Sequence, residues 1–290
     1  MPIAVIAFDF DPLLHLGDAI AVRWQTVALA AVIAAVLVAA GVLAMRRGLR
    51  PDDLLTIVIG AVPGAVIGGR LGYLIAHPIA FGAGPGTILD PGVGGLELAG
   101  AVVGGIGSAA LVVALLEGSI GAWAHLAALP LVVAIGAGKL TMVLGGSGQG
   151  LPSDLSWATA YLGPGPWGSL APSLPSHPSQ AYEGVGTLAW AGVLGLTLAA
   201  GAFGRRDGRL LLVGVAGWAL IRAAVSTTWR DPVDLAPFPT GGWLAVALAV
   251  GALALLAAVT VRAARTGEGT AGAMSGEEPD WPDPATRPPF

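Results

Sequence analysis

The chain has 290 residues, of which 55% are hydrophobic and 11% charged, with a mean hydropathy of +0.78. A soluble domain carries about 25% charged residues, so the composition excludes a soluble globular protein and indicates an integral membrane protein. The absence of cysteine excludes disulfides, thiolate catalysis and Cys-ligated metals. The net charge of -4 carries little information, because the acidic share is concentrated near the C-terminus. The 45 glycines suit helices that approach closely in a membrane.

Taken in order, Met1–Gly17 is mildly apolar, carries Asp9 and Asp11, and lacks the basic start of a cleaved signal peptide. Arg23 and Trp24 form an interface-type pair. Seven stretches are then long enough to span: Gln25–Met45, Leu54–Ala76, Leu96–Leu116, Trp123–Leu144, Ala181–Phe203, Leu210–Thr228 and Gly242–Val261. Arg46, Arg47 and Arg50 follow the first span, Arg205, Arg206 and Arg209 the fifth, and Arg262 and Arg265 the seventh. These clusters fall on one side, which the positive-inside rule makes cytoplasmic. The expected architecture is an all-α integral membrane protein of about seven transmembrane helices. Its N-terminus lies outside, its C-terminus is cytoplasmic, and an extracytoplasmic loop caps it. Residues 1–265 form the membrane domain, and 266–290 read as a disordered cytoplasmic tail.

The cap is the long segment Gly148–Ser176, with Trp157 and Trp167 among prolines. Loops of this length are usually functional or disordered, and the motifs on both flanks favour a functional, ordered cap. It leads into His177-Pro178-Ser179-Gln180-Ala181-Tyr182-Glu183, where Ser179 is the expected helix N-cap and Glu183 lies just inside. A His, a Gln, a Tyr and a Glu are thus crowded where a loop meets a span.

Arg23, Arg70, Lys139, Arg222 and Arg230 are the cations that topology leaves over, in or beside the outer halves of spans one, two, four and six. Glu97, Glu183 and Asp231 are placed to balance them, so cations outnumber anions at this level. Two readings compete: buried ion pairs that lock helices together, or a cavity for an anionic ligand such as a lipid phosphate. The excess of positive charge favours the cavity. No His/Asp/Glu spacing suggests a metal, no glycine loop suggests a nucleotide, and neither a cofactor nor a nucleic-acid partner is expected.

The ordered motifs resemble the bacterial prolipoprotein diacylglyceryl transferase family over roughly residues 9–262. They are Ile20-Ala21-Val22-Arg23-Trp24, Gly69-Arg70-Leu71-Gly72-Tyr73, Gly94-Gly95, Pro152-Ser153-Asp154-Leu155, the His177–Glu183 run, and Arg230-Asp231-Pro232. The resemblance implies transfer of a diacylglyceryl group from phosphatidylglycerol to the lipobox cysteine of a prolipoprotein, in the bacterial plasma membrane. It implies Lys139 and Arg230 as catalytic residues. Arg23, Arg70, Lys139 and Arg230 would bind the lipid phosphate, supported by His177, Gln180, Glu183 and Asp231. The chain departs from the family pattern where His-Gly-Gly becomes Ala99-Gly100-Ala101. The run Gly-Arg-Ile-Gly-Asn-Phe becomes Gly138–Val143, placing Lys139 for Arg and Met142 for Asn. A Tyr becomes Gln25, a Glu becomes Ser147, and a Glu among aromatics gives way to Ser226–Trp229. The alternative is a non-catalytic relative that binds anionic phospholipid or lipoprotein.

Overall fold

A computed structural model describes residues 5–17, 19–82, 85–88, 90, 92–233 and 235–274. These form seven α-helices: α1 (Trp24–Arg46), α2 (Pro51–Ala76), α3 (Leu98–Leu115), α4 (Ile120–Thr141), α5 (Ser179–Ala199), α6 (Arg209–Ser226) and α7 (Thr240–Met274). Four short strands accompany them: β1 (Ile6–Phe8), β2 (Leu13–Leu16), β3 (Ile20–Arg23) and β4 (Thr159–Tyr161). The chain is therefore an all-α multi-pass membrane protein with minor strands.

Six helices, α1 to α4, α6 and α7, are long and apolar enough to cross a membrane among the described residues. The seven expected spans appear as seven helices, but α5 falls outside that set. Ser179, Gln180, Tyr182 and Glu183 in its first turns dilute its apolar run. Helix starts also lie earlier than hydropathy suggests, because local chemistry fixes them. Pro51 opens α2, followed by Asp52 and Asp53, which suit the positive end of a helix. The Ser119 hydroxyl caps α4 by accepting from the Ala122 N–H. Helix α7 continues past Val261 to Met274, so the first residues of the expected tail, 266–274, are helical, and 275–290 lie outside the described residues.

Large apolar side chains such as Ile59, Val62, Ile67 and Leu71 on α2 stand exposed. Such faces suit lipid and would be a liability in water. The internal contacts are made by small residues. Gly64 and Gly68 of α2 meet the backbone of Gly104 and Gly100 on α3 so closely that a Cβ would collide with a carbonyl. The backbones can meet only because neither helix carries side chains there. The main core lies among α3, α4, α5, α6 and α7, with Val132, Leu194, Trp218 and Ala249 buried at its centre. Helix α6 is the most enclosed: 56% of its most apolar window is buried, against 11% for α1 and α2. Any polar group on α6 is thus committed to the interior.

The segment between α4 and α5 folds over one end of the bundle. It starts with a 3-10 turn, Met142–Gly145, and contains β4, which pairs in parallel with β1 through Ile6↔Thr159 to Phe8↔Tyr161. The N-terminal stretch, in which sequence pattern indicates no element, supplies that partner strand. Tyr161 stacks on Phe8 with ring centroids 5.1 Å apart and leans on Trp167 at 4.8 Å. The two edges of the cap are tied to each other by Gly150 N–H donating to His177 O and His177 N–H donating to Leu151 O, and to the end of α6 by Leu151 N–H donating to Thr228 O.

Replacing Gly104 with Val is expected to force α2 and α3 apart and destabilise the protein by at least about 1–3 kcal/mol. A melt in detergent checks this, with Gly107→Val as the control, since nothing lies within 4 Å of that glycine's Cβ position.

Candidate functional site

Arg222, on α6, sits inside the bundle at 5% exposure. An isolated guanidinium there would be costly. Its Nη2 donates to Glu97 Oε1 at 2.6 Å, and its Nη1 donates to Glu183 Oε1 and Oε2 at 3.0 and 3.1 Å. Glu183 also accepts from Trp218 Nε1 at 3.2 Å and pairs with Lys139 Nζ at 2.9 Å. Trp218 and Arg222 are four residues apart on α6 and therefore share a face. The other oxygen of Glu97 accepts from Gly100 N–H at 2.9 Å and caps α3. One network thus joins α3, α4, α5 and α6, with two cations balanced by two carboxylates.

Lys139 and Arg222 are neutralised by Glu97 and Glu183, two of the acids that the sequence reading placed to balance the cations. The structure corrects the expected cap of α5. The N-cap position is Pro178 without a side-chain bond. The Ser179 hydroxyl instead meets Thr228 Oγ1 at 2.7 Å and so ties α5 to the end of α6. Glu183 turns into the core rather than towards the helix end.

Beside this network lies a cavity of about 290 Å³, between the bundle and the cap. Its wall includes Lys139, Glu183 and Arg222 from the network, Gln149 and Ser169 from the cap, Gln180 from α5, and Arg230 and Asp231 beyond α6. Arg230 differs from the other two cations. Its Nε donates to Gly150 O at 2.6 Å and its Nη2 to Ser176 Oγ at 2.9 Å, with Gln149 Oε1 at 3.5 Å. All three acceptors are neutral. Partial burial lowers its pKa, yet a guanidinium remains protonated in proteins. Among the described residues Arg230 forms no ion pair, and it presents its charge to the cavity. Asp231 lines the cavity as well and is exposed.

The cap side of the wall is held in place by amides. Gln149 Nε2 donates to Thr159 O at 2.7 Å and Leu174 O at 3.2 Å, and its carbonyl accepts from the Ser169 hydroxyl. Gln180 Nε2 donates to Tyr161 Oη at 3.1 Å. Burial pushes the Tyr161 phenol up to about 12, so it stays protonated at neutral pH. Gln149 and Ser169 were not singled out from the sequence, since Gln and Ser in a loop carry no signal of their own. Arg222 and Glu97 were legible as intramembrane charges but not as the centre of the site.

The remaining expected site residues lie elsewhere. Arg70 does not join Lys139 and Arg230. It donates to the carbonyls of Thr87, Ile88, Asp90, Val93 and Gly95 and lies 4.8 Å from the Phe81 ring centroid. A single guanidinium thus organises the loop leading to Glu97. Arg23 ends β3 opposite Leu13 and is outside the cavity lining. His177 Nδ1 meets Tyr182 Oη at 3.3 Å, and that hydroxyl also accepts from Trp157 Nε1 at 2.8 Å. This trio fixes the cap at the start of α5 and does not line the cavity. Ala99 is 3% exposed and packs in the main core. Gln25 Oε1 accepts from Ser147 Oγ at 3.0 Å, so two positions that depart from the family pattern meet each other.

The family model described as prolipoprotein diacylglyceryl transferase matches residues 12–258. A phosphatidylglycerol–prolipoprotein diacylglyceryl transferase of Bordetella avium is 30% identical over 277 residues, covering 89% of this chain and 97% of the relative. Proteins of the same name from Gluconacetobacter diazotrophicus and Agrobacterium fabrum are 28% and 26% identical. They cover 89% and 85% of this chain, and 93% and 89% of their own lengths.

Glu183→Gln leaves Lys139 and Arg222 without their shared counter-charge. It is expected to destabilise the protein by about 3–5 kcal/mol, the cost of breaking a buried pair from one side. Arg230→Gln, which loses only neutral acceptors, is expected to melt close to the parent protein. Comparing the two melting temperatures in one detergent checks the division between framework and binding cations.

Proposed function

Because this chain belongs to the prolipoprotein diacylglyceryl transferase family, we propose that it moves a diacylglyceryl group from phosphatidylglycerol to the cysteine of a prolipoprotein lipobox. The observation that carries this reading is Arg230, a cation held by neutral acceptors on the wall of a cavity of about 290 Å³. The phosphodiester of phosphatidylglycerol is a singly charged oxyanion, and a guanidinium suits it by charge and by geometry. Lys139 adds a second cation to the same wall, partly satisfied by Glu183. The arginine clusters after α1, before α6 and along α7 lie at the end of the bundle away from the cap. That supports a plasma-membrane protein with the cavity on the outer face.

The chemistry joins the cysteine sulfur to a glyceryl carbon while the carbon–oxygen bond to phosphate breaks. The thiol proton has to be taken up, and the electron pair leaves with glycerol phosphate. Charge on the departing phosphate grows as the bond breaks, so Arg230 and Lys139 stabilise the transition state more than the bound lipid. Glu183 is committed to Lys139 and Arg222. Asp231, exposed on the cavity wall, is then the lining carboxylate placed to accept the proton. It takes the part for which the family imidazole is missing, since Ala99 is buried among apolar side chains.

The test is transfer in phosphatidylglycerol vesicles to a synthetic lipobox peptide, read as the peptide's mass gain and release of glycerol phosphate. The parent protein is expected to transfer. Arg230→Gln is expected to weaken lipid binding about 10- to 100-fold, the loss of one charged hydrogen bond. Asp231→Asn is expected to keep lipid binding and slow transfer by about 10²- to 10⁴-fold. Lipid binding by the parent protein with no transfer to any peptide would make the chain a non-catalytic relative.

A further inference from the structure

A second, smaller cavity of about 80 Å³ lies at the opposite end of the bundle from the cap. It is lined by His125 near the start of α4, by Arg47 at the end of α1, and by Arg206 between α5 and α6. Leucines complete the wall, among them Leu43, Leu126 and Leu198. His125 is 7% exposed, and its Nδ1 is buried without a hydrogen-bond partner. A buried polar atom left unbonded is uncommon in native structures and calls for an explanation. A partner entering the cavity supplies one.

Arg206 is tethered beside the cavity, and Arg47 lines it from the end of α1. Arg206 Nη1 donates to Arg47 O at 3.3 Å. The chain at Arg206 is also seated on α4, since a Cβ at Gly121 would stand 2.6 Å from Arg206 O. The nearest acid, Asp207, is engaged by Arg209 Nε at 2.8 Å. Burial raises that carboxylate, and the Arg209 hydrogen bonds outweigh it and hold it below its ordinary value. Two guanidiniums and one imidazole therefore face the space, with apolar walls beneath them.

We propose that this cavity binds a phosphate oxyanion, with His125 and the two arginines as its donors. A phospholipid headgroup and free inorganic phosphate share that chemistry. The leucine walls favour the lipid, whose glyceryl and upper acyl carbons would cover them. The site is separate from the cavity under the cap and does not depend on the transfer reaction.

The experiment uses the full chain in neutral detergent and counts bound dioctanoyl phosphatidylglycerol by native mass spectrometry. Dioctanoylglycerol, which lacks the phosphate, and inorganic phosphate serve as comparison probes. The Arg230→Gln background weakens the cap-side site, so that the tighter remaining binding is counted at low lipid concentration. On that background the protein is expected to retain a bound phosphatidylglycerol. Arg47→Gln/Arg206→Gln is expected to raise its Kd by at least about tenfold. His125→Leu removes the unbonded nitrogen while keeping an apolar filler, so it is expected to fold and to bind more weakly as well. Protection by inorganic phosphate alone would identify a free-anion site, and protection only by the lipid a headgroup site. Equal binding by the parent background and both variants, or dioctanoylglycerol binding as tightly as phosphatidylglycerol, would overturn the proposal.

Discussion

Arg222 carries a charge that the interior of a membrane protein does not tolerate alone, and the site is arranged around keeping it accompanied. Its guanidinium is shared between Glu97 at the start of α3 and Glu183 in the second turn of α5. Glu183 in turn holds Lys139 of α4. Such a network need not add net stability, because desolvation offsets much of the attraction. What it does is specify geometry. Three of the four helices it joins contribute side chains to the cavity wall, and a shift in any one would leave a buried charge unpaired.

That arrangement separates two kinds of cation with different tasks. Arg222, and to a large extent Lys139, are satisfied inside the protein. Arg230, held by Gly150, Ser176 and more distantly Gln149, is oriented without being neutralised. Positioning a guanidinium with neutral acceptors keeps its charge available to a ligand, and it reduces the ordering cost when the ligand arrives. Because the acceptors belong to the cap and its flanks, the cap is part of the cavity wall and not merely a cover. Most departures from the family pattern fit the same picture: Ala99 fills core space, and Gln25 and Ser147 bond to each other. Lys139 is the exception, because it stands for the family Arg on the cavity wall itself.

Much of the fold was legible because hydropathy and arginine position are direct consequences of the bilayer. The seven helices and their order followed from them, and the cap was read instead from its length, its Trp157 and Trp167 among prolines, and the motifs on both flanks. The ends of the helices were less legible, since a cap such as Glu97 or a proline such as Pro51 extends or trims a helix independently of hydropathy. The polar run at the start of α5 was readable as a site. The role of Ser179 was not, because its partner Thr228 is distant in sequence. Arg70 shows the same limit in reverse. As a lone intramembrane cation it looked like a phosphate ligand, yet backbone carbonyls of the loop before α3 take all of its donors. Carbonyl acceptors have no sequence signature, so a cation satisfied by backbone cannot be told from one awaiting an anion.

The central claim is that a lipid phosphate binds at Arg230 while the Arg222 network stays intact. Determining the structure of the full chain with phosphatidylglycerol bound tests it most directly. The phosphate is expected within about 3 Å of an Arg230 guanidinium nitrogen. Lys139 should lie on the same side, with Glu183 still bridging Lys139 and Arg222. A phosphate seated instead on Arg70 or Arg23, or one that displaces Glu183 from Arg222, would contradict it.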